Sequence, residues 1–325
     1  MHRIRRATYL ARLPSSPCTF KLQHYSTPSN IHLRSSKMPL NPSISTFQSA
    51  LETLYGPLDP SVIKDPTSWT PPQKSGGHKG RYLWTDAFGV LSLITMHTET
   101  ARASNDRDKS IYLTLASRLV ETVHNVLGYN RAGTRRLHGA TDTNPLGGGL
   151  RIGKMDDDGP DGDGQYHHYL TLWMFALNRM SMATNDAKYN QQAIALAKAI
   201  HGPFFMNSSS ERPRMVWKVD TELQRVLVGS EGNLDPIDGF VVFRLLRAVS
   251  EHFGEKDVLG PEIEDYARVM KRKGEHFVSS DTLDLGMTMW TVQWVVQEDW
   301  AARLADRCFE QLCMSHISFD SMLME

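Results

Sequence analysis

The feature that most constrains the fold is a fourfold alternation of two kinds of helical segment. A segment that is apolar on almost every side is followed each time by a plainly amphipathic one. A helix that is apolar on most sides is buried on most sides, whereas an amphipathic helix buries one face. The alternation therefore predicts an all-α protein built from helical hairpins, each with an inner and an outer helix.

The spacing of the apolar residues places the four hairpins along the chain. The predicted inner helices begin near residues 84, 166, 237 and 284, and their outer partners cover 110–127, 187–200, 261–277 and 299–313. A short helix is expected at 43–55. Two long connections lead into the second and third inner helices. Within the later one, segments 215–219 and 225–228 predict a small β-hairpin.

Each inner helix is preceded or opened by acidic residues. These residues are Asp86 in the first hairpin, Asp161 and Asp163 in the second, Glu231, Asp235 and Asp238 in the third, and Asp281 and Asp284 in the fourth. If the inner helices all start at the same end of the molecule, these acids gather there and form a polar, concave site.

This pattern resembles the six-hairpin glycosidase-like superfamily, the (α/α)-toroid proteins, over about residues 80–313. The resemblance rests on the inner and outer alternation, on Trp84-Thr85-Asp86-Ala87, and on the stretch from Asp161 to Tyr169; it looks like a fungal-type branch without a familiar activity. Relatives include unsaturated glucuronyl hydrolases and N-acylglucosamine 2-epimerases. The resemblance implies a small-molecule carbohydrate as partner, bound where the inner helices begin. A full toroid has six hairpins, so the ring is either incomplete or completed by the N-terminal segment.

Paired carboxylates give the first functional hypothesis, a glycosidase-like hydrolase. One carboxyl group would protonate the leaving oxygen while the other activates water or attacks the sugar. Asp86 and Asp163 are the preferred pair, and Glu231 is the substitute. Each has a structural alternative, because a helix dipole favours an acid in the first turn and an aspartate caps a helix well.

His167 and His168 give the second hypothesis, a sugar epimerase or isomerase. Adjacent helical residues point about 100° apart, so the two imidazoles do not form a same-face metal pair. One is expected to face the cavity, where histidine can transfer protons near neutral pH. The third hypothesis is a non-catalytic sugar-binding protein, in which the acids cap helices and the aromatic residues fill the core.

Six further residues are candidates for contacting a sugar: Trp84, Tyr166, Trp217, Arg151, Asp235 and Asp238. Aromatic rings stack on sugar faces, although tryptophan is also common in helical cores. Asp235 precedes a proline, which equally indicates the start of a helix.

No metal or cofactor is predicted. The acidic stretch 156–163 does not fit the EF-hand register, because Gly159 and Pro160 fall where ligands are needed. The glycine-rich stretch 144–154 matches neither the dinucleotide-binding fingerprint nor the P-loop.

Charge and cysteine content narrow the classes of partner. The 36 basic residues balance the 36 acidic ones, which gives no reason to expect nucleic acid or an anionic membrane. The three cysteines do not form a disulfide framework or a zinc site. The oligomeric state is not predicted.

The termini are predicted to lie outside the fold. Residues 1–40 are rich in arginine and serine without any acid, which is typical of a mitochondrial transit peptide; the alternative is translation from Met38. A cytoplasmic or mitochondrial location is therefore expected, not a secreted one. A single toroid domain is predicted at 41–314, and an irregular tail at 315–325.

Overall fold

The structure is a computed structural model that describes residues 42–72, 81–104, 111–154, 156 and 162–322. The compact unit that contains the core runs from Lys37 to Leu312. The predicted leader, residues 1–40, lies outside the described part of the chain.

The described residues are mostly helical, as predicted. The helices are α1 (Pro42–Tyr55), α2 (Leu83–Ser104), α3 (Tyr112–Leu127), α4 (His167–Thr184), α5 (Ala187–Phe204), α6 (Asp235–His252), α7 (Gly260–Val269), α8 (Thr282–Val292) and α9 (Asp299–Met322). The predicted short helix and the four hairpins are all present. Gly128 ends α3, as expected of a glycine directly after the apolar stripe.

The inner and outer roles also follow the sequence pattern. α2, α4, α6 and α8 pack against one another in that order, whereas α3, α5 and α7 pack on the outside of their partners. A second, smaller core joins α8 and α9 through residues such as Leu285 and Leu304. The row of inner helices curves back on itself, because Trp290 of α8 contacts both Phe175 of α4 and Phe88 of α2.

The N-terminal ends of the inner helices lie together. The ring of Trp84, at the start of α2, is 5.5 Å from the ring of His168, at the start of α4. His168 in turn is 3.6 Å from Asp235, the first residue of α6. The loop before α6 reaches α8, because Asn233 Nδ2 donates to Asp284 at 2.8 Å. We call this end of the molecule the N-terminal face.

The small β-hairpin is present, with shorter strands than the predicted 215–219 and 225–228 and with a third strand beside it. β4 (Lys218–Val219) pairs antiparallel with β5 (Val226–Val228), and β1 (Gln165–Tyr166) adds a third strand on the other side of β4. Because β1 leads directly into α4, this sheet holds Trp217 over the N-terminal face. A separate pair consists of β2 (Phe205–Met206) and β3 (Arg214–Met215).

Two helix ends differ from the prediction. The outer helix predicted at 261–277 stops at Val269, and a π-helical turn, Met270–Gly274, follows it. At the C-terminus, α9 continues to Met322, so residues 315–322 are helical and not the predicted irregular tail. In both segments the spacing of the apolar residues is too irregular to locate the end of the helix from the sequence.

Candidate functional site

The centre of the N-terminal face is His168, which lies in the first turn of α4. Four aromatic rings surround its imidazole: Tyr169 at 4.7 Å, Trp84 at 5.5 Å, Tyr166 at 6.1 Å and Trp217 at 6.4 Å between centroids. The side chain of His168 is 16% exposed, so part of its imidazole reaches the surface. Three of the four rings belong to residues predicted to contact a sugar.

A buried carboxylate lies behind this imidazole. Oδ1 of Asp235 is 3.6 Å from Nδ1 of His168 and 3.6 Å from Nδ1 of His167. These separations exceed a normal hydrogen bond, and neither oxygen of Asp235 has a hydrogen-bond partner among the described residues. The contacts are therefore electrostatic. Burial acts to raise the pKa of Asp235, but its interactions with His167 and His168 outweigh burial and lower the pKa to about 2.

His167 is the imidazole that packs in the core. It is fully buried, and its Nε2 lies 2.6 Å from the hydroxyl of Tyr266 in α7. Burial and neighbouring acids raise the pKa of Tyr266, so the phenol stays neutral. The other ring nitrogen of His167, Nδ1, faces Asp235 at 3.6 Å. The two histidines therefore differ in burial: His167 lies in the core, and His168 is partly exposed.

Asp86 is enclosed in an ion pair. Its carboxylate accepts from Arg81 Nε at 2.8 Å and Arg81 Nη2 at 3.2 Å, and from the hydroxyl of Tyr55 at 3.1 Å. Arg81 also donates to the carbonyl of Pro72. Burial raises the pKa of Asp86 while the Arg81 hydrogen bonds oppose that rise. These contacts tie α1 and the segment before α2 to the start of α2.

The carboxylate of Asp163 accepts four hydrogen bonds. Its Oδ2 accepts from Arg151 and Arg131, each at 2.9 Å, and its Oδ1 accepts from the backbone amides of Gly153 and Gly164 at 3.0 and 3.1 Å. Arg151 uses its other nitrogens on the carbonyls of Tyr129 and Val126. Each carboxylate oxygen of Asp163 and each guanidinium nitrogen of Arg151 therefore has a partner within the protein. We call Asp163, Arg151 and Arg131 together the Asp163 clamp.

Glu231 and Asp238 occupy different positions around α6. Glu231 accepts from the amide of Met215 at 3.0 Å and pairs with Arg272, which joins the loop before α6 to β3 and the π-helical turn. Asp238 is buried one turn after Asp235, and its Oδ1 accepts from the hydroxyl of Thr291 in α8 at 2.8 Å. Of the predicted catalytic carboxylates, Asp86, Asp163 and Glu231 therefore all pair with arginine.

Asp238 should make the stability of the protein depend on pH. Burial, and then the charges of Asp235 and Asp284, raise its pKa from 3.8 to about 8 against the opposing hydrogen bond of Thr291. The folded state thus binds the proton more tightly than the unfolded state. This contribution is fully present below about pH 4 and is lost as pH rises towards 8.

The substitution Asp238→Asn tests this dependence, because the amide stays neutral and still accepts from Thr291. We expect similar melting temperatures for the variant and the native protein below about pH 4, and a melting temperature for the variant that exceeds the native one increasingly as pH rises to 8. Thermal denaturation followed by circular dichroism measures the difference. If the melting temperatures of the two proteins changed with pH in the same way, Asp238 would already be ionised in the folded state.

The space below His168 is partly filled by aromatic side chains. Phe175 is buried and contacts Trp290 at 4.7 Å between centroids, while Phe88 and Trp290 stay half-buried. Phe88, Phe175 and Trp290 thus join the inner helices α2, α4 and α8 through contacts between their rings.

The acidic stretch before α4 lies partly outside the described residues, which include Asp156 and Asp163 but not residues 157–161. In the described ranges, no group of three or more histidine, cysteine, aspartate or glutamate side chains is placed to hold a metal ion. Lys218 is buried nearby, where its Nζ donates to the carbonyl of Gly162 and lies over the ring of Tyr166.

Sequence reasoning missed three residues of this site: Arg81, Tyr55 and Tyr266. Arg81 lies five positions before Asp86, and a basic residue so close to a candidate acid is a usable signal for an ion pair. Tyr266 is 99 positions from His167, and nothing local connects them. Gly239 in α6 is an indirect signal of the packing of Tyr266, since a glycine inside a buried helix often marks the close approach of another element.

Comparison with known proteins gives no assignment. No known protein family matches this chain, and no protein of curated function is significantly similar to it in sequence. None of the described helices combines the length and apolar character needed to cross a bilayer.

Proposed function

We propose that this chain is a carbohydrate-acting enzyme in which His168, supported by Asp235, transfers a proton at a carbon atom of the sugar. The proposal depends on a difference between Asp235 and the other candidate carboxylates. Asp86, Asp163 and Glu231 pair with arginines, whereas among the described residues Asp235 makes no hydrogen bond and lies 3.6 Å from the partly exposed imidazole of His168. A buried carboxylate left without donors is costly, and such features cluster at functional sites.

The chemistry that fits this arrangement is epimerisation or isomerisation of an open-chain sugar. Nε2 of His168 would remove the proton from the carbon next to the carbonyl group, which leaves an enediolate. For isomerisation the imidazolium returns this proton to the former carbonyl carbon while the hydroxyl proton passes to the former carbonyl oxygen. For epimerisation the enediolate turns over and receives the proton on its opposite face. An ionised Asp235 stabilises the imidazolium formed in between. Trp84, Tyr169 and Trp217 supply flat apolar surfaces for the sugar. The carbohydrate class comes from these rings and from the toroid resemblance.

Incubation with free aldoses and ketoses in deuterium oxide tests the proposal directly. We expect deuterium to enter the sugar at the carbon next to the carbonyl, as detected by NMR. His168→Gln should reduce that rate by about 100-fold or more, the usual contribution of a positioned acid–base group. His138→Gln, at an exposed histidine outside the site, is the matched control. Equal exchange rates in the two variants would remove His168 from the mechanism.

A glycoside hydrolase remains the second candidate because of Asp235 and Asp238. Burial and neighbours place the pKa values of these carboxyl groups at about 2 and about 8, opposite protonation states one helical turn apart. Glycosidases use one ionised and one protonated carboxyl group. Hydrolysis of small glycosides without deuterium exchange, abolished by Asp235→Asn, would favour this candidate. Sugar binding without either reaction would favour the non-catalytic hypothesis.

The expected cellular location stays a prediction. It depends on the arginine-rich residues 1–40, and the described part of the chain does not test it.

A further inference from the structure

Arg179 is a half-buried arginine on α4, eleven residues after His168. At 1.5 Å per residue it lies roughly 16 Å further along the helix axis, beyond the filled region at Phe175. It is therefore separate from the site around His168. Its surroundings differ from those of the arginines that clamp Asp86 and Asp163.

Two aromatic rings hold the guanidinium in place. Its Cζ lies 4.9 Å from the ring centroid of Trp294 and 5.3 Å from that of Phe175. Cation–π contacts of this kind fix the plane of the guanidinium and partly desolvate it. Trp294 is 37% exposed, so the cluster reaches the protein surface.

A buried amide network fixes the edge of the same group. Nε and Nη2 of Arg179 donate to Oδ1 of Asn178. The amide nitrogen of Asn178 donates in turn to Asn190 Oδ1 at 2.9 Å and to the carbonyl of Leu245 at 3.2 Å. The guanidinium is thus oriented by α4, α5 and α6 together, and no hydrogen bond joins its Nη1 to another of the described residues.

The positive charge of Arg179 is not balanced locally. Within the described ranges its hydrogen bonds go to an amide oxygen, and no carboxylate pairs with it. By contrast, Arg244 on the neighbouring inner helix pairs with Glu298. Burial lowers the pKa of Arg179, which agrees with a cation placed in a desolvated position without a counter-ion.

We propose that Arg179, between Phe175 and Trp294, is a binding site for a small oxyanion, either a carboxylate or a phosphate group. An arginine held in one orientation with a free Nη1 edge matches the planar or tetrahedral oxygens of such groups. Preorganisation reduces the entropy lost on binding, which makes a single fixed guanidinium more effective than a mobile surface arginine. Trp294 offers an apolar surface to the rest of the ligand.

Titration of the whole chain with inorganic phosphate, glucuronate and glucose, followed by calorimetry, tests the site. We expect saturable binding of at least one of the two anions and none of glucose here. Preference for phosphate or for glucuronate identifies which oxyanion the site takes. Arg179→Gln should weaken anion binding by tenfold or more, whereas Arg303→Gln, which removes the same charge from an exposed position of α9, should not.

Three results of this titration would contradict the proposed site. Absence of saturable anion binding overturns the site, and so does equal binding by the native protein and Arg179→Gln. Equal weakening in both variants would indicate a general charge effect and would also overturn it. If Arg179→Gln does not fold, Arg179→Lys replaces it, because lysine keeps the charge but loses the planar fork. The result is independent of deuterium exchange at His168.

Discussion

Replacement of Asp163 by asparagine is expected to lower the free energy of unfolding by about 3–5 kcal/mol, the usual effect of breaking a buried ion pair. The substitution removes the charge that two arginines share and places an amide NH₂ group against one of them. Arg151 is buried, so its charge would remain uncompensated. Arg131 is about one-third exposed and contributes less because water screens its charge.

Urea denaturation followed by circular dichroism measures this effect. The matched control is Asp142→Asn, which removes a carboxylate that pairs with Arg136 at an exposed position. We expect the control to change stability little. If Asp163→Asn lost no more stability than the control, the Asp163 clamp would not be structural. Loss of sugar turnover with unchanged stability would restore Asp163 as a catalytic candidate.

Gly239→Ala is expected to destabilise the protein by about 1–3 kcal/mol, although alanine is normally the better residue in a helix. A Cβ atom at this position of α6 would lie 2.0 Å from Cε1 of Tyr266. The Tyr266 ring is fully buried and packs against Phe205 and Phe243, so it has little room to move. Displacement of the ring would also break the hydrogen bond to His167.

Gly286→Ala is the matched control for this substitution. Gly286 also lies in an inner helix, α8, but a Cβ atom there meets nothing within 4 Å. Since only helix propensity acts at that position, we expect stabilisation by about 0.5–1 kcal/mol. Opposite signs for the two glycines, measured by urea denaturation, would confirm that close packing of Tyr266 governs Gly239. Equal stabilisation of both variants would contradict it.

The positions of the helices were predictable because burial imposes a period on the sequence. The inner segments around Phe88 and Trp173 are apolar on most sides, and the structure buries them on most sides. The β-hairpin at 218–228 was likewise visible as two short apolar runs. The end of α7 was not predictable, because a π-helical turn and an α-helical turn have nearly the same local pattern.

The proximity of several candidate residues was predictable, whereas their individual partners were not. Trp84, His168 and Asp235 were all candidates, and the structure brings them together at the N-terminal face. The partners of each of these residues could not be predicted from the sequence. Asp86 and Asp235 both lie in the first turn of an inner helix, yet Asp86 pairs with Arg81 and Asp235 lies against the imidazoles of His167 and His168.

The sequence by itself determined the helical hairpins, their inner and outer faces, and the acidic character of the segments leading into the inner helices, because these depend on contacts between near neighbours and on burial. Only the tertiary structure decided which acids are neutralised. An ion pair such as Arg131 with Asp163 joins residues 32 positions apart, and the Tyr266 contact with His167 joins residues 99 positions apart. The charge state of a buried group depends on such partners, and packing alone brings them within reach.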